Sequence, residues 1–522
     1  MVGKMGLRSG RGPASADAPS TPGIALNEDN SHFFYTRMGW PVTESTVDEW
    51  VDQYAGTQVR ELVMCVNCMR TGHDSAVWEP IWSGYDPDGP DDQPLLASLS
   101  PAHRRHARRW VHTAWAFHAA GIDTYARRIS RARAKGLSPW LSMRMNDVHN
   151  ADDEACHIHS RFWRARPDLR RVGYRSDRWT DRAFDYGQPE VRAYHLSLVE
   201  ELAGRYDFDG LELDWMRFGF HFRPGFEQEG LPILTEFTRE VRRILDGAER
   251  RRGHRIRLGA RVPTRPATAL GLGMDAVGWA REGLLDMLVV TPFWASCETD
   301  MPIEIWKQLL SGTGTVLAAG LEAIVRPDPE MKPVFNSIET VRGMASSLLA
   351  RGADRIYLFN YMDWENAMSE SATYPRLLRE AGSLETMAGK PRRHVVTFSD
   401  TWAPGEPEGR LLPAPMNPGE WKEFRIHVGP RPECRSWIGL CADAPFSAEA
   451  LEVRLNGAPC GPCVMTEFAK PRAELPSYAW EIPEEALKGG FNLVEIRSDM
   501  ENRLRWVEIG VGPAKGSLKP RL

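Results

Sequence analysis

Residues 207–218 read "DFDGLELDWMRF", a run that looks like a buried strand yet carries five charged side chains. Charges are costly to bury unless they are paired or do chemistry, so the pattern needs an explanation. In a strand alternate side chains face opposite sides, which puts Glu212, Asp214 and Met216 on one face and Leu211, Leu213 and Trp215 on the other. The leucines suit a helix-covered outer face. Glu212 and Asp214 are therefore expected to point into the lumen of a barrel, with Asp214 nearer the C-terminal mouth, where active sites of such barrels lie. The competing explanation is a buried ion pair with Arg144, Arg217 or Arg261. Asp209, just before Gly210, reads as a turn residue at the start of the strand.

Outward from this stretch, short apolar runs alternate with amphipathic helical segments between residues 31 and 382. Strands are expected at 32–38, 61–67, 138–145, 210–216, 256–262, 287–294, 316–323 and 356–362. Eight strands with helices between them predict an α/β fold, a closed (β/α)₈ barrel. Thr46 and Glu49 have capping-box spacing ahead of Val47, Trp50, Val51 and Tyr54. A second helical stripe, Val191, Tyr194, Leu198, Val199 and Leu202, leads into the fourth strand. From about residue 393 the texture changes to short alternating runs broken by Pro and Gly, such as "EFRIHVG" and "LEVRLNG", which predicts a smaller all-β sandwich. The domain reading is a polar Pro/Gly-rich tail over 1–24, the barrel over 25–386, a linker over 387–393 and the sandwich over 394–516. The barrel is expected to close on its own eighth strand and so to fold without the sandwich.

The chain has 522 residues and a net charge of -5, which offers no basic field for nucleic acid. No segment approaches the apolar length needed to cross a bilayer, and the tail has no apolar core of a secretion signal, so a cytoplasmic protein is expected. Among eight cysteines, "CVNC" (65–68) and "CGPC" (460–463) have a spacing that zinc sites use. The first pair lies in a strand run whose residues three apart face opposite sides, so buried free thiols are expected. The loop 149–163 gathers His149, Asp152, Asp153, Glu154, His157 and His159, but a polar loop alone does not preorganise ligands. No metal and no cofactor are expected.

"RYDFDGLELDWMRF" (205–218), the preceding "FDYGQPEVRAYHLSLVEEL" (184–202) and "GWAREGLLDMLVVTPFW" (278–294) resemble the glycosyl hydrolase-like family 10 barrels. The resemblance implies a TIM barrel acting on a glycan, with Asp214 at its centre. Glu212 departs from the family pattern, so its role does not carry over. The stretch also echoes the signature of the family 18 chitinases, in which the last acidic residue is the acid; Met216 stands there in this chain, which disfavours that mechanism. "EEALKGGFNLVEIRSD" (484–499) resembles the closing hairpin of galactose-binding-like jelly rolls.

Glycoside hydrolysis uses two carboxyl groups flanking one bond. The candidates are Asp214 and Glu322, with Glu212 as a third; Asp363 and Asp147 are runners-up for the second carboxylate. Expected substrate contacts are Arg37, Asn67, Arg144, Asn146, Asp147, His149, Arg261 and Asn360 at strand ends, with Asp363 and the aromatic faces of Trp294 and Trp364. The arginines suit an anionic sugar, although pairing with Glu212 and Asp214 would also account for them. The partner is thus a carbohydrate, and the sequence is silent on oligomeric state. A barrel that binds sugar without cleaving it is the alternative function.

Overall fold

The computed structural model describes residues 22–174, 178–362, 368–445, 450–465 and 475–512. Eight parallel strands close into a barrel: β1 Ile24–Glu28, β2 Val59–Cys65, β3 Ser138–Arg144, β4 Gly210–Asp214, β5 Arg257–Pro263, β6 Met287–Thr291, β7 Val316–Leu321 and β8 Arg355–Phe359. They follow one another around the barrel in chain order, and β1 closes it by pairing with β8 and β2. Seven of these lie within three residues of the strands expected from sequence.

The first does not. "HFFYT" forms a short helix, His32–Thr36, and the barrel opens instead on "IALNE" at 24–28. Phe33 and Phe34 are consecutive and both buried, as a helix inserted between neighbours allows. Phe33 meets Trp50 and Phe117 edge-on or tilted at 5.9 and 5.6 Å between ring centres. The next helix, Glu44–Asp52, is capped by Thr43, whose hydroxyl accepts from the Thr46 N–H, so Thr46 lies inside the helix rather than at its cap.

Alternation along the strands separates two apolar regions. Leu211, Leu213, Ile24 and Leu26 join the large core beneath the helices. Ala25, Val63, Trp140, Met287, Val289, Ala318, Tyr357 and Phe359 form a separate cluster that fills the lumen. Trp140 occupies so much of it that a Cβ at position 210 would lie 2.3 Å from its ring, and only Gly210 fits as its register partner on the neighbouring strand.

The C-terminal region consists of antiparallel sheets. One orders Arg392–Val395, Asn502–Val511, Ser436–Ala442, Ser477–Glu481 and Cys463–Met465; the other orders Trp421–His427, Phe491–Ser498, Leu451–Leu455 and Ala458–Pro459. Ile438, Leu440, Val494, Ile496, Val507 and Ile509 pack between them. Phe491–Ser498 and Asn502–Val511 join different sheets, so the segment read as a closing hairpin is a crossover between layers.

The two regions are in close contact. The helix Ile338–Ala350 runs under Arg392–Val395 so tightly that a Cβ on Gly343 would stand 1.9 Å from the Arg393 carbonyl oxygen. Val325 and Met331, after β7, share a cluster with Val395, Cys441, Leu475 and Trp506. Arg505 of the sandwich pairs with the fully buried Asp328 of the barrel. Among the described residues no helix is long and apolar enough to cross a membrane.

Candidate active site

Both acidic residues of β4 face the lumen. Glu212 Oε1 accepts from the Ser142 hydroxyl of β3 at 2.7 Å and from the Tyr357 hydroxyl of β8 at 2.8 Å. Asp214 Oδ2 accepts from Arg261 Nη1 of β5 at 2.7 Å, and Asp214 Oδ1 accepts from the Met216 N–H at 3.1 Å. Arg261 lies with its Cζ 3.8 Å from the centre of the Phe359 ring, where the guanidinium meets the electron-rich face. Glu322, the residue directly after β7, is 1% exposed. Its backbone carbonyl is held by the Asn336 amide, the Tyr361 hydroxyl and the Cys297 thiol.

Burial raises the Glu322 carboxyl to about 8; Arg217 and Arg261 work in the opposite direction, while Asp400 and Asp214 add to the rise. Burial also pushes Glu212 upward, against the pull of Arg261 and with the repulsion of Asp214. Glu322 is therefore a protonated acid at neutral pH, and Asp214 is ion-paired with Arg261.

Several polar atoms around this cluster meet no partner among the described residues: Glu212 Oε2, Glu322 Oε1, Nε and Nη2 of Arg261, and Nε and Nη1 of Arg217. Both ends of the Asn27 amide belong with them. Asn27 lies two residues beyond the lumen residue Ala25 on β1 and is 1% exposed. It was missed from sequence because β1 itself was misplaced.

On the β1–β3 side the mouth opens into a cleft of about 490 Å³ lined by Asp29, Arg144, His149, Trp110, His106 and Asp153, among others. Arg144 pairs with Asp29 and, at 3.0 Å, with Asp147. Burial works to raise the carboxyls of Asp29 and Asp147, but Arg144 with the Ser31 hydrogen bonds, and the contacts of His149 with Arg144, hold them far below the usual range. His149 Nδ1 lies 2.7 Å from Asp147 Oδ1 and its Nε2 lies 3.2 Å from Arg217 Nη2. Guanidinium only donates and carboxylate only accepts, so the imidazole carries its proton on Nδ1.

Other expected contacts have different surroundings. The Asn67 amide is spent on the Cys68 and Arg144 carbonyls and the Arg144 N–H; that of Asn146 is spent on Phe184 and Phe220. These two asparagines brace loops. Arg37 caps the helix His32–Thr36 instead of ending a strand, and stacks on Phe33 and Trp40. Asn360 ends β8 in a left-handed turn, φ 60°. Trp294 is 57% exposed on the loop after β6. Asp363 and Trp364 lie outside the described residues. The cysteines are free, and among the described residues no group of three or more His, Cys, Asp or Glu is placed to hold a metal.

Fold and site together define a (β/α)₈ barrel with a buried carboxyl–guanidinium cluster at its C-terminal end. No family model and no curated protein matches the chain. Among solved structures it is similar to the PgaB (BpsB) glycoside hydrolase domain from Bordetella bronchiseptica, with 12% identity, 70% of this chain and 99% of that one covered, and a TM-score of 0.41. It is similar also to the chitinase ChiW from Paenibacillus sp. (9% identity, 93% and 56% covered, TM-score 0.40). A third is the chitinase ChiA74 from Bacillus thuringiensis (9%, 95% and 98%, 0.37).

Proposed function

We propose that the protein is a glycoside hydrolase working by paired carboxyl groups, and that it belongs to glycosyl hydrolase-like family 10, as the motifs around Asp214 suggest. One observation carries the first reading: Glu322, a neutral acid at physiological pH, and Asp214, a carboxylate paired with Arg261, belong to one lumen cluster at the barrel's C-terminal end. A neutral acid together with an arginine-paired acid is the kind of carboxyl pair that cleavage of an acetal uses. Glu322 would give its proton to the leaving oxygen. Asp214 would serve the anomeric carbon as nucleophile or as base for a water. Glu212, held by Ser142 and Tyr357, lies two residues before Asp214 on the same strand face. The unspent N–H groups of Arg217 and Arg261 and the amide of Asn27 offer donors for sugar hydroxyls or a sugar carboxylate.

A second reading, a barrel that binds a glycan without cleaving it, draws on the burial of the cluster: Glu212, Asp214 and Glu322 are at most 1% exposed. Incubation with neutral and uronate-containing oligosaccharides, followed by assay for new reducing ends, separates the two. Cleavage abolished by Glu322→Gln supports the hydrolase. Binding without new reducing ends on every oligosaccharide bound supports the second reading.

A further inference from the structure

Between the barrel and the bulk of the sandwich, residues 396–406 form a strap across the C-terminal mouth. The Thr397 hydroxyl accepts from the Thr299 N–H, and Glu406 accepts from the Thr268 hydroxyl. Phe398 lies under the Arg326 guanidinium at 5.8 Å, and Ala403 packs into the barrel core. These contacts fall on the loops after β5, β6 and β7, so one segment roofs three adjacent strand ends.

At its middle, Asp400 fills a concavity made by three successive backbone N–H groups: Oδ1 accepts from Phe293 at 2.9 Å, and Oδ2 accepts from Trp294 and Ala295, each at 2.7 Å. Consecutive N–H groups pointing to one spot form a ready anion site, here occupied by the chain's own carboxylate. The Thr401 hydroxyl adds a fourth donor at 3.0 Å. The fixed loop sets Phe293 against Phe218, 5.1 Å between ring centres, and Phe218 follows Arg217. Resting on the glycosidase reading, we propose that Asp400 is a positioning residue of the active site: it fixes the loop after β6, whose Phe293 packs on Phe218 next to Arg217. The strap that leads into the sandwich is thereby part of the catalytic apparatus.

The charged and titratable groups acting on Glu322 come from every side. Arg217 and Asp214 come from β4 and its loop, Arg261 from β5 and Asp400 from the strap, while Cys297 of the loop after β6 and Tyr361 at the end of β8 bond only the Glu322 backbone carbonyl. The two arginines favour the ionised form; Asp400 and Asp214 favour the neutral acid. Asp400 is the one acid in this group supplied from beyond the barrel's eighth strand.

The test is a pH titration of the Glu322 carboxyl in the full-length protein by infrared difference spectroscopy, the band being assigned by its loss in Glu322→Gln. Asp400→Asn keeps an oxygen for the N–H groups and removes the charge. It is expected to lower the Glu322 midpoint by roughly half a pH unit or more, while Asp400→Glu leaves it in place. Asp400→Ser, also uncharged, is the second variant should Asp400→Asn not fold. An unmoved midpoint in a folded uncharged variant overturns the proposal. On any oligosaccharide that is cleaved, the alkaline limb of the rate profile should move to lower pH by the same amount. If none is cleaved the glycosidase reading falls, and the infrared midpoint still decides the role of Asp400.

Discussion

Asp214 and Arg261 are register partners on neighbouring strands, and their side chains join at 2.7 Å with at most 1% of either exposed. The geometry gives the pair two jobs, holding the barrel together and presenting a carboxylate, and these separate by mutation. Asp214→Leu should cost about 3–5 kcal/mol because it leaves a buried guanidinium unpaired. The double variant Asp214→Leu/Arg261→Met should recover much of that stability in thermal unfolding and still show no turnover. A double variant as unstable as the single would mean that the pair is not the source of the loss.

Glu322 binds its proton more tightly in the folded state, with a midpoint near 8 against an ordinary 4.5. Its contribution to stability is fully present below pH 4.5 and is lost as pH rises through 8, because the folded chain holds a proton that the unfolded chain releases. Glu322→Gln should flatten the fall in denaturation midpoint across this window. Parallel curves for wild type and variant would rule out the raised carboxyl.

Asn27 has an amide with no hydrogen bond to lose among the described residues. Asn27→Leu should therefore melt at or above the wild-type temperature, since an unsatisfied buried amide costs about 1–3 kcal/mol. If the amide serves substrate, the same variant should raise KM for any oligosaccharide cleaved. A lowered melting temperature with unchanged KM would make Asn27 structural.

A chain ending at Gly389 would lose Asp400, Ala403 and Glu406 and uncover Val325 and Met331. It should aggregate or bind a hydrophobic dye, in contrast to the independent barrel expected from sequence. Gly343→Ala, which drives a methyl into the Arg393 carbonyl, should lower the melting temperature of the whole molecule in one transition. A monomeric, cooperatively melting truncated barrel would refute this.

The barrel was legible in the sequence wherever strand and helix alternated clearly, and Glu212 and Asp214 were legible through the pleat of "GLELD". β1 was not, because Ile24 and Leu26 form a short run behind a Pro/Gly-rich tail while "HFFYT" supplies the aromatics that strands favour. The partners Ser142 and Tyr357 depend on register across three strands, which no local pattern encodes. Asp400 stands in a segment that the sequence assigns to the sandwich, beyond the linker at 387–393. Its role depends on a return to the loop after β6 that only the folded chain makes.

The strap closes off the β5–β7 sector of the rim, while the 490 Å³ cleft lies open on the β1–β3 side. At this end of the barrel the accessible cavity thus lies on the side of Trp110 and His106, away from the loop that Asp400 holds.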